Sequence, residues 1–328
     1  MVRQVIAWPL RHWMLTASIL LLIAFVLLNV VAYNHAYRMT HFVREGARTK
    51  KPEQLSAWEK LGVLFWGVTL PRPELDSNPA NVGLTFETVT IPSTDGISLE
   101  GWHCPHPQPR GAVVLFHGYT THKAVLLGEA RGFHDLGYAV LLIDFRGSGG
   151  SSGMTTTIGV REATDVAASY RCLKERHPNQ PIVVYGQSMG AASVLRALAV
   201  EKVEPTAVIL ECPFDRLLST AKNRFDSMGV PSFPFAQILV FWGGVQHGYN
   251  GFRHNPIEYA ESVRIPTLLI SGDRDPRVTP QQAQSIYDRL AGPKRFVLFS
   301  EVGHESCCNA RPEEWQKAMR EFLDEYGR

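Results

Sequence analysis

Six short runs in this chain, "AVVLFHG", "YAVLLIDF", "PIVVYG", "AVILEC", "TLLISG" and "RFVLFSE", are almost continuously apolar. A strand with one wet face alternates apolar and polar residues, so a run that is apolar throughout belongs to a strand covered on both faces, as in a parallel sheet. Between the runs lie stretches of helical spacing: about His122 to Leu136, Arg161 to Arg176, the residues following Ser188, Pro280 to Leu290, and Pro312 to Tyr326. Two earlier runs, "LTFETVTI" and "ISLEGWH", keep polar alternation and read as an antiparallel start. The fold class that follows is α/β, with a mostly parallel, doubly wound sheet of eight strands.

One connection is too long for such a fold. Residues 213–264 separate the sixth strand from the seventh, far beyond the usual loop length, and carry the aromatic stretch "FPFAQILVFWGGVQHGYNGF" with glycine hinges. Two readings stand side by side: a lid-like helical insertion over a site, or extra helices that complete the core.

The N-terminus sets a different constraint. "MLTASILLLIAFVLLNVVAY", Met14 to Tyr33, holds no charge, and twenty residues at 1.5 Å each match a bilayer core of about 30 Å. Trp8 and Trp13 before it, and Tyr33 and Tyr37 at or after its end, suit the interfaces. The expected organisation is a flank (1–13), a transmembrane helix (14–33), a linker with an amphipathic helix (34–83) and the α/β domain (84–328). Cleavage as a signal peptide after Val30 and Ala32 is the alternative, which would leave a secreted or periplasmic protein. Arg38, Arg44, Arg48, Lys50 and Lys51 follow the span against Arg3 and Arg11 before it, a bias toward a cytoplasmic domain. In the linker Leu55, Trp58, Leu61, Phe65 and Val68 recur at helical spacing until Pro71 and Pro73. That pattern fits a helix on a membrane surface or one packed on the domain's own core.

Charge excludes one class of partner. Thirty-three basic residues against thirty-one acidic leave a net charge of +2, which is no footprint for nucleic acid. The five cysteines cannot all pair and show no disulfide spacing. Cys307 and Cys308 beside His304 lack the further donors a closed zinc site needs, so no metal and no cofactor is expected.

Chemistry enters at "VVYGQSMGAAS", where Gly186, Ser188 and Gly190 form a GxSxG that follows an apolar strand and opens an Ala-rich helix. The glycines permit the sharp turn that exposes the hydroxyl, and the helix N-terminus places partial positive charge beside it. A serine of this kind needs a base to take its proton. In a strand–turn–helix setting the order is serine, acid, histidine, and after Asp275 the chain holds a single histidine, His304. For the acid, "SGDRDPRV" offers Asp273 and Asp275, and Asp215 follows the preceding strand.

"VVLFHGYTTHK", "LLIDFRGSGGSSG", "VVYGQSMGAAS", "LLISGDRDPRV" and "VGHES" stand in the order and spacing of the α/β-hydrolase superfamily. More narrowly, the chain resembles the serine aminopeptidase-like and membrane-anchored acyl hydrolases, from about Leu84 to the C-terminus. The resemblance implies Ser188 as nucleophile, His304 as general base and Asp275 as the acid, because the family pattern sets the acid three residues after the glycine. Asp273 is then a turn residue. It also implies an oxyanion hole made by the backbone N–H groups of Met189 and Tyr119, with His117 a structural residue orienting the loop. The glycines of Asp144 to Gly153 match the family's loop after the fourth strand rather than a dinucleotide cradle.

The expected function is a membrane-anchored serine hydrolase that cleaves an ester, thioester or related acyl bond. Its expected partners are a small, apolar acyl substrate and, through the N-terminal helix, membrane lipid. A serine aminopeptidase-like peptidase and a non-catalytic membrane scaffold on the same fold are the alternatives. An aromatic insertion favours an apolar acyl group over the acidic pocket that an α-amino group would require.

Overall fold

Residues 2–50 and 54–327 are described by a computed structural model of the chain. Lys51 and Pro52, at the head of the expected amphipathic segment, lie outside the described residues, as do the side chains of residues 2–11, including Trp8, Arg3 and Arg11. A long helix α1 (Val2–Thr40) and a short one, α2 (Ala57–Trp66), precede the sheet. Then follow β1 (Glu87–Pro92), β2 (Ser98–Cys104), β3 (Gly111–Phe116), α3 (Leu127–Asp135), β4 (Tyr138–Ile143), α4 (Glu162–Arg176), β5 (Ile182–Gln187) and α5 (Met189–Ala199). The second half comprises β6 (Ala207–Glu211), α6 (Leu217–Met228), α7 (Phe235–His247), α8 (Pro256–Ala260), β7 (Thr267–Gly272), α9 (Pro280–Arg289), β8 (Lys294–Phe299), α10 (Cys307–Ala310) and α11 (Pro312–Tyr326).

The eight strands form one sheet in the order β1-β2-β4-β3-β5-β6-β7-β8. β1 pairs antiparallel with β2, and β2 with β4; every later pairing is parallel. Successive residues of a strand point to opposite faces, so Val114, Leu141 and Val184 join one core with Val166 and Leu195 of α4 and α5. Val113, Leu115, Val140 and Tyr185 join the other with Phe133 of α3 and Trp315 and Phe322 of α11. Burial on both faces is why these runs lack polar alternation. β8 is the exception: it reads as apolar yet lies at the sheet edge, half-buried, with Leu298 exposed.

The insertion divides its work. α8 sends Ile257 and Ala260 into the main core, whereas α6 and α7 stand over the C-terminal ends of the strands, where Leu217 and Val240 pack with Phe214 and Val278.

α1 is longer than the uncharged run requires. His12–Thr40 is long and apolar enough to cross a membrane, and side chains from Trp13 to Leu27 are almost all exposed. Its C-terminal turns then dock on the domain, with Ala32, Ala36 and Thr40 buried. The Trp242 indole of α7 donates to Asn29 Oδ1 at 3.0 Å, and the Gln246 amide donates to the Tyr33 carbonyl at 2.7 Å. Residues expected as linker continue this attachment. Phe42 N donates to Met154 O at 2.8 Å, and Phe42 packs with Val68 and Leu70.

Candidate active site

The parallel strands β5, β6 and β7 end on one edge of the sheet, and the turns that follow them converge there. Ser188 joins β5 to α5 with φ +53° and ψ −112°, a conformation that non-glycine residues rarely hold. Two features enforce it. Ser188 N donates to Glu211 O at 2.7 Å, and the flanking glycines admit backbone where a Cβ would collide: at Gly186 it would lie 2.7 Å from Ala191 N, and at Gly190 2.3 Å from Phe116 O. The strained elbow lifts the hydroxyl out of the sheet.

Ser188 Oγ lies 3.1 Å from His304 Nε2, and His304 Nδ1 lies 2.6 Å from Asp275 Oδ2. Asp275 is buried, and its other oxygen, Oδ1, accepts the backbone N–H groups of Arg277 at 2.8 Å and Val278 at 2.9 Å. The two competing acids are occupied elsewhere. Asp273 Oδ1 accepts Glu301 N at 2.7 Å, closing the turn before the histidine loop. Asp215 is held by Arg216, by Ser219 and by Gln282 Nε2 at 2.9 Å.

Met189 N opens α5 beside the serine, and Gly118 brings the loop carrying Tyr119 so close that a Cβ there would sit 3.5 Å from Ser188 Cβ. His117 fixes that loop. Its Nε2 accepts Phe145 N at 3.1 Å, so the proton sits on Nδ1 and is donated to Gly118 O at 2.8 Å. Full burial pushes the His117 pKa down to about 4, which keeps the ring neutral in this double role. The Tyr119 hydroxyl donates to Met39 O, tying the loop to α1.

Three features of the site are absent from the sequence reading. The first is a pair of buried carboxyl groups beneath the histidine loop. Glu211, at the end of β6, accepts from the Tyr185 hydroxyl, from Gln187 Nε2 at 3.0 Å and from Cys307 N at 3.0 Å, so it joins the serine strand to the histidine loop. Glu129 accepts from Ser306 Oγ. Burial first, and then mutual repulsion, raise the Glu129 pKa to about 8, and burial raises that of Glu211 as well. The second is the part played by the N-terminal segment. A cavity of about 700 Å³ above Ser188 and His304 is lined by Ala36, Met39 and Thr40 of α1 and by Leu239 and Val240 of α7. The third is charge. Among the described residues Arg48, Lys50, Arg224 and Arg277 reach the cavity wall, against one carboxylate, Glu305.

Cys307 and Cys308 are buried thiols, and burial raises the Cys308 pKa. Cys212, Asp275 and His304 place potential ligand atoms within 4.8 Å of one another, yet Asp275 and Ser188 already engage both histidine nitrogens. The glycine loop after β4 likewise offers no phosphate cradle. Asp144 fills it, accepting Gly150 N at 2.8 Å and Lys123 N at 2.7 Å, and a Cβ at Gly149 would lie 1.9 Å from its carboxylate.

Comparison with known proteins agrees with this architecture. The profile of the serine aminopeptidase family, S33, matches residues 107–227. An uncharacterized protein of Mycobacterium tuberculosis is 31% identical over 242 residues, 72% of this chain and 79% of that protein. The lysophosphatidylserine lipase ABHD12 of Mus musculus is 27% identical over 206 residues, 57% of this chain and 49% of that protein. An esterase of Pyrococcus furiosus superposes with a TM-score of 0.66 at 27% identity, covering 79% of this chain and 97% of the esterase.

Proposed function

Because the chain belongs to the α/β-hydrolase superfamily, we propose that it is a membrane-anchored serine hydrolase acting on a carboxylic ester, thioester or related acyl bond. The observation that carries the proposal is the unbroken relay from Ser188 Oγ through His304 to Asp275 at the floor of a largely apolar cavity. His304 Nε2 takes the serine proton as Oγ attacks the substrate carbonyl carbon. The carbonyl oxygen becomes an oxyanion facing the Met189 and Tyr119 N–H groups, the two donors such a site requires, each commonly worth about 3 kcal/mol of barrier. Collapse expels the alcohol or thiol, which receives the proton from His304, and leaves the acyl group on Ser188. Water, deprotonated by the same nitrogen, then attacks the ester, releasing the acid and restoring the serine. Asp275 holds Nδ1–H throughout and stabilises the imidazolium. A serine here also argues against dehalogenase and epoxide-hydrolase chemistry, which on this fold needs a carboxylate nucleophile.

The charge of the cavity favours acyl esters over N-terminal peptides. An α-amino group needs acceptors, whereas among the described residues the wall presents four cationic side chains and one carboxylate. The docking of α1 favours a retained anchor. Cleavage after Ala32 would remove Asn29 from Trp242 and sever a continuous helix.

A fluorophosphonate probe on the full chain tests the proposal. Wild type is expected to label and Ser188→Ala to remain unlabelled; unlabelled wild type, or undiminished labelling of the variant, refutes it. Hydrolysis of p-nitrophenyl esters of graded chain length, beside aminoacyl p-nitroanilides, separates esterase from peptidase.

A further inference from the structure

α2 is amphipathic in the wrong sense for a soluble domain. Its Val63 side packs toward Phe42, Val68 and Leu70, while Trp58, Leu61, Phe65 and Trp66 point outward, with the two tryptophans 83% and 78% exposed. α7 does the same with Phe241 and Val245, and the turn before it exposes Phe233 to 74%. Scattered apolar side chains on a surface mean little, but here they belong to two elements that both pack on α1.

Both elements abut the end of the α1 span. α2 is fixed to α1 where His35 Nε2 donates to Leu64 O at 2.9 Å, and α7 is fixed where Trp242 meets Asn29 and Tyr33. Asn29 and His35 are separated by roughly 9 Å along a helix. That matches the depth of about 5–10 Å to which an interfacial helix sinks. Exposed Arg38 lies beside Gly67 at the same level, placed to reach lipid headgroups. The cavity also reaches these elements: Ala36 and Met39 of α1, Leu239 and Gly243 of α7, and Gln54 just before α2 all line it.

We propose that α2 and the outward face of α7 form an apolar collar around the root of α1, that this collar rests in the interfacial layer of the bilayer, and that it turns the cavity toward lipid. The proposal rests on the anchored-hydrolase reading above. It adds a second, distributed membrane contact and makes the bilayer the phase from which acyl substrate enters. The bilayer is the occupant because the collar is continuous with an exposed apolar helix that itself requires lipid.

The test uses the full chain in phosphatidylcholine–phosphatidylglycerol vesicles, in a Cys172→Ser background because the other four thiols are buried. Nitroxides at Trp66→Cys and Phe241→Cys are expected to collide more with oxygen than with a water-soluble nickel chelate, and a label at Glu313→Cys on α11 to show the reverse. Nickel accessibility at the collar equal to that at residue 313 overturns the proposal, and so does protection from both reagents, which would mean a protein surface covers it. In parallel, Phe65→Ser/Trp66→Ser/Phe241→Ser is expected to lower kcat/KM on a vesicle-embedded long-chain ester by about ten-fold or more, with a soluble short-chain ester within about two-fold. Equal loss on both substrates overturns the substrate route. Wild type inactive on every ester refutes the hydrolase reading instead, and the label accessibilities still decide the collar.

Discussion

Replacing Asp275 by asparagine changes one atom, and the hydrogen bonds around that residue determine which way the new amide must face. Oδ1 accepts two backbone N–H groups, from Arg277 and Val278, so the amide oxygen stays there. The NH₂ group then occupies the Oδ2 position, 2.6 Å from His304 Nδ1, and donates to it. A ring nitrogen that accepts cannot carry the proton, so the proton moves to Nε2 and points at Ser188 Oγ. The base becomes a donor toward the atom it has to deprotonate. Restoring the productive tautomer requires flipping the amide against two backbone N–H groups, one buried and one part-buried, at about 1–3 kcal/mol each when left unpaired, or about 2–6 kcal/mol together.

Loss of the charge that stabilises the imidazolium adds to this, and the sum corresponds to a fall of about 10³–10⁴ in kcat, comparable with the roughly 10⁴-fold effect of the same change in another triad. The assay is steady-state hydrolysis of a p-nitrophenyl ester by the full chain in detergent. Asp273→Asn and Asp215→Asn serve as controls expected to stay within a few-fold of wild type. A variant of Asp275 within ten-fold of wild type, or a crippled Asp273 variant, would refute the reasoning from the loop's hydrogen bonds.

Two further outcomes follow from the buried charges. The raised pKa of Glu129, about 8 against an ordinary 4.5, means that the folded state holds a proton the unfolded chain releases. Its contribution to stability is complete below the unfolded value and declines by at most about 1.4 kcal/mol per pH unit between roughly 4.5 and 8. Glu129→Gln should therefore flatten the fall of Tm with pH across that window; a slope as steep as wild type would count against a protonated Glu129. Lys123 is fully buried against Asp144 and reaches Glu100 at 2.8 Å, so Lys123→Met leaves Asp144 uncompensated at a cost of about 3–5 kcal/mol. Thermal unfolding should fall by about 10 °C, and an unchanged Tm would show that the pair is replaceable.

Much of the fold is legible because burial leaves a mark on composition. The central strands are dry on both faces and read as apolar runs, and chain order singles out His304, the one histidine after Asp275, whereas the choice of Asp275 over Asp273 and Asp215 rests on the resemblance. β8 shows the limit of that mark. Its run resembles the others, but edge position is a property of the whole sheet, and a half-exposed Leu298 carries no local sign of it. Glu129 and Glu211 show a second limit. An acidic residue in one dimension reads as surface, and only the convergence of Tyr185, Gln187, Ser306 and Cys307 lets the pair be buried at the site.

The N-terminal segment is legible in part, and the rest is hidden for a physical reason. A window of uncharged residues ends near Tyr33, where hydropathy falls, although nothing in "NHAYRMT" breaks a helix. Past that point the signal changes from composition to spacing: Ala32, Ala36 and Thr40 recur at four-residue intervals, a stripe of small residues that lets another element approach closely. All three are buried, and Ala36 and Thr40 also line the cavity. One helix thus changes character along its length, with exposed apolar side chains over the stretch long and apolar enough to cross a membrane and small buried ones where it packs on the domain. The position of the active-site cavity follows from that change, because the turns of α1 that leave the apolar run are the same turns that wall the space above Ser188.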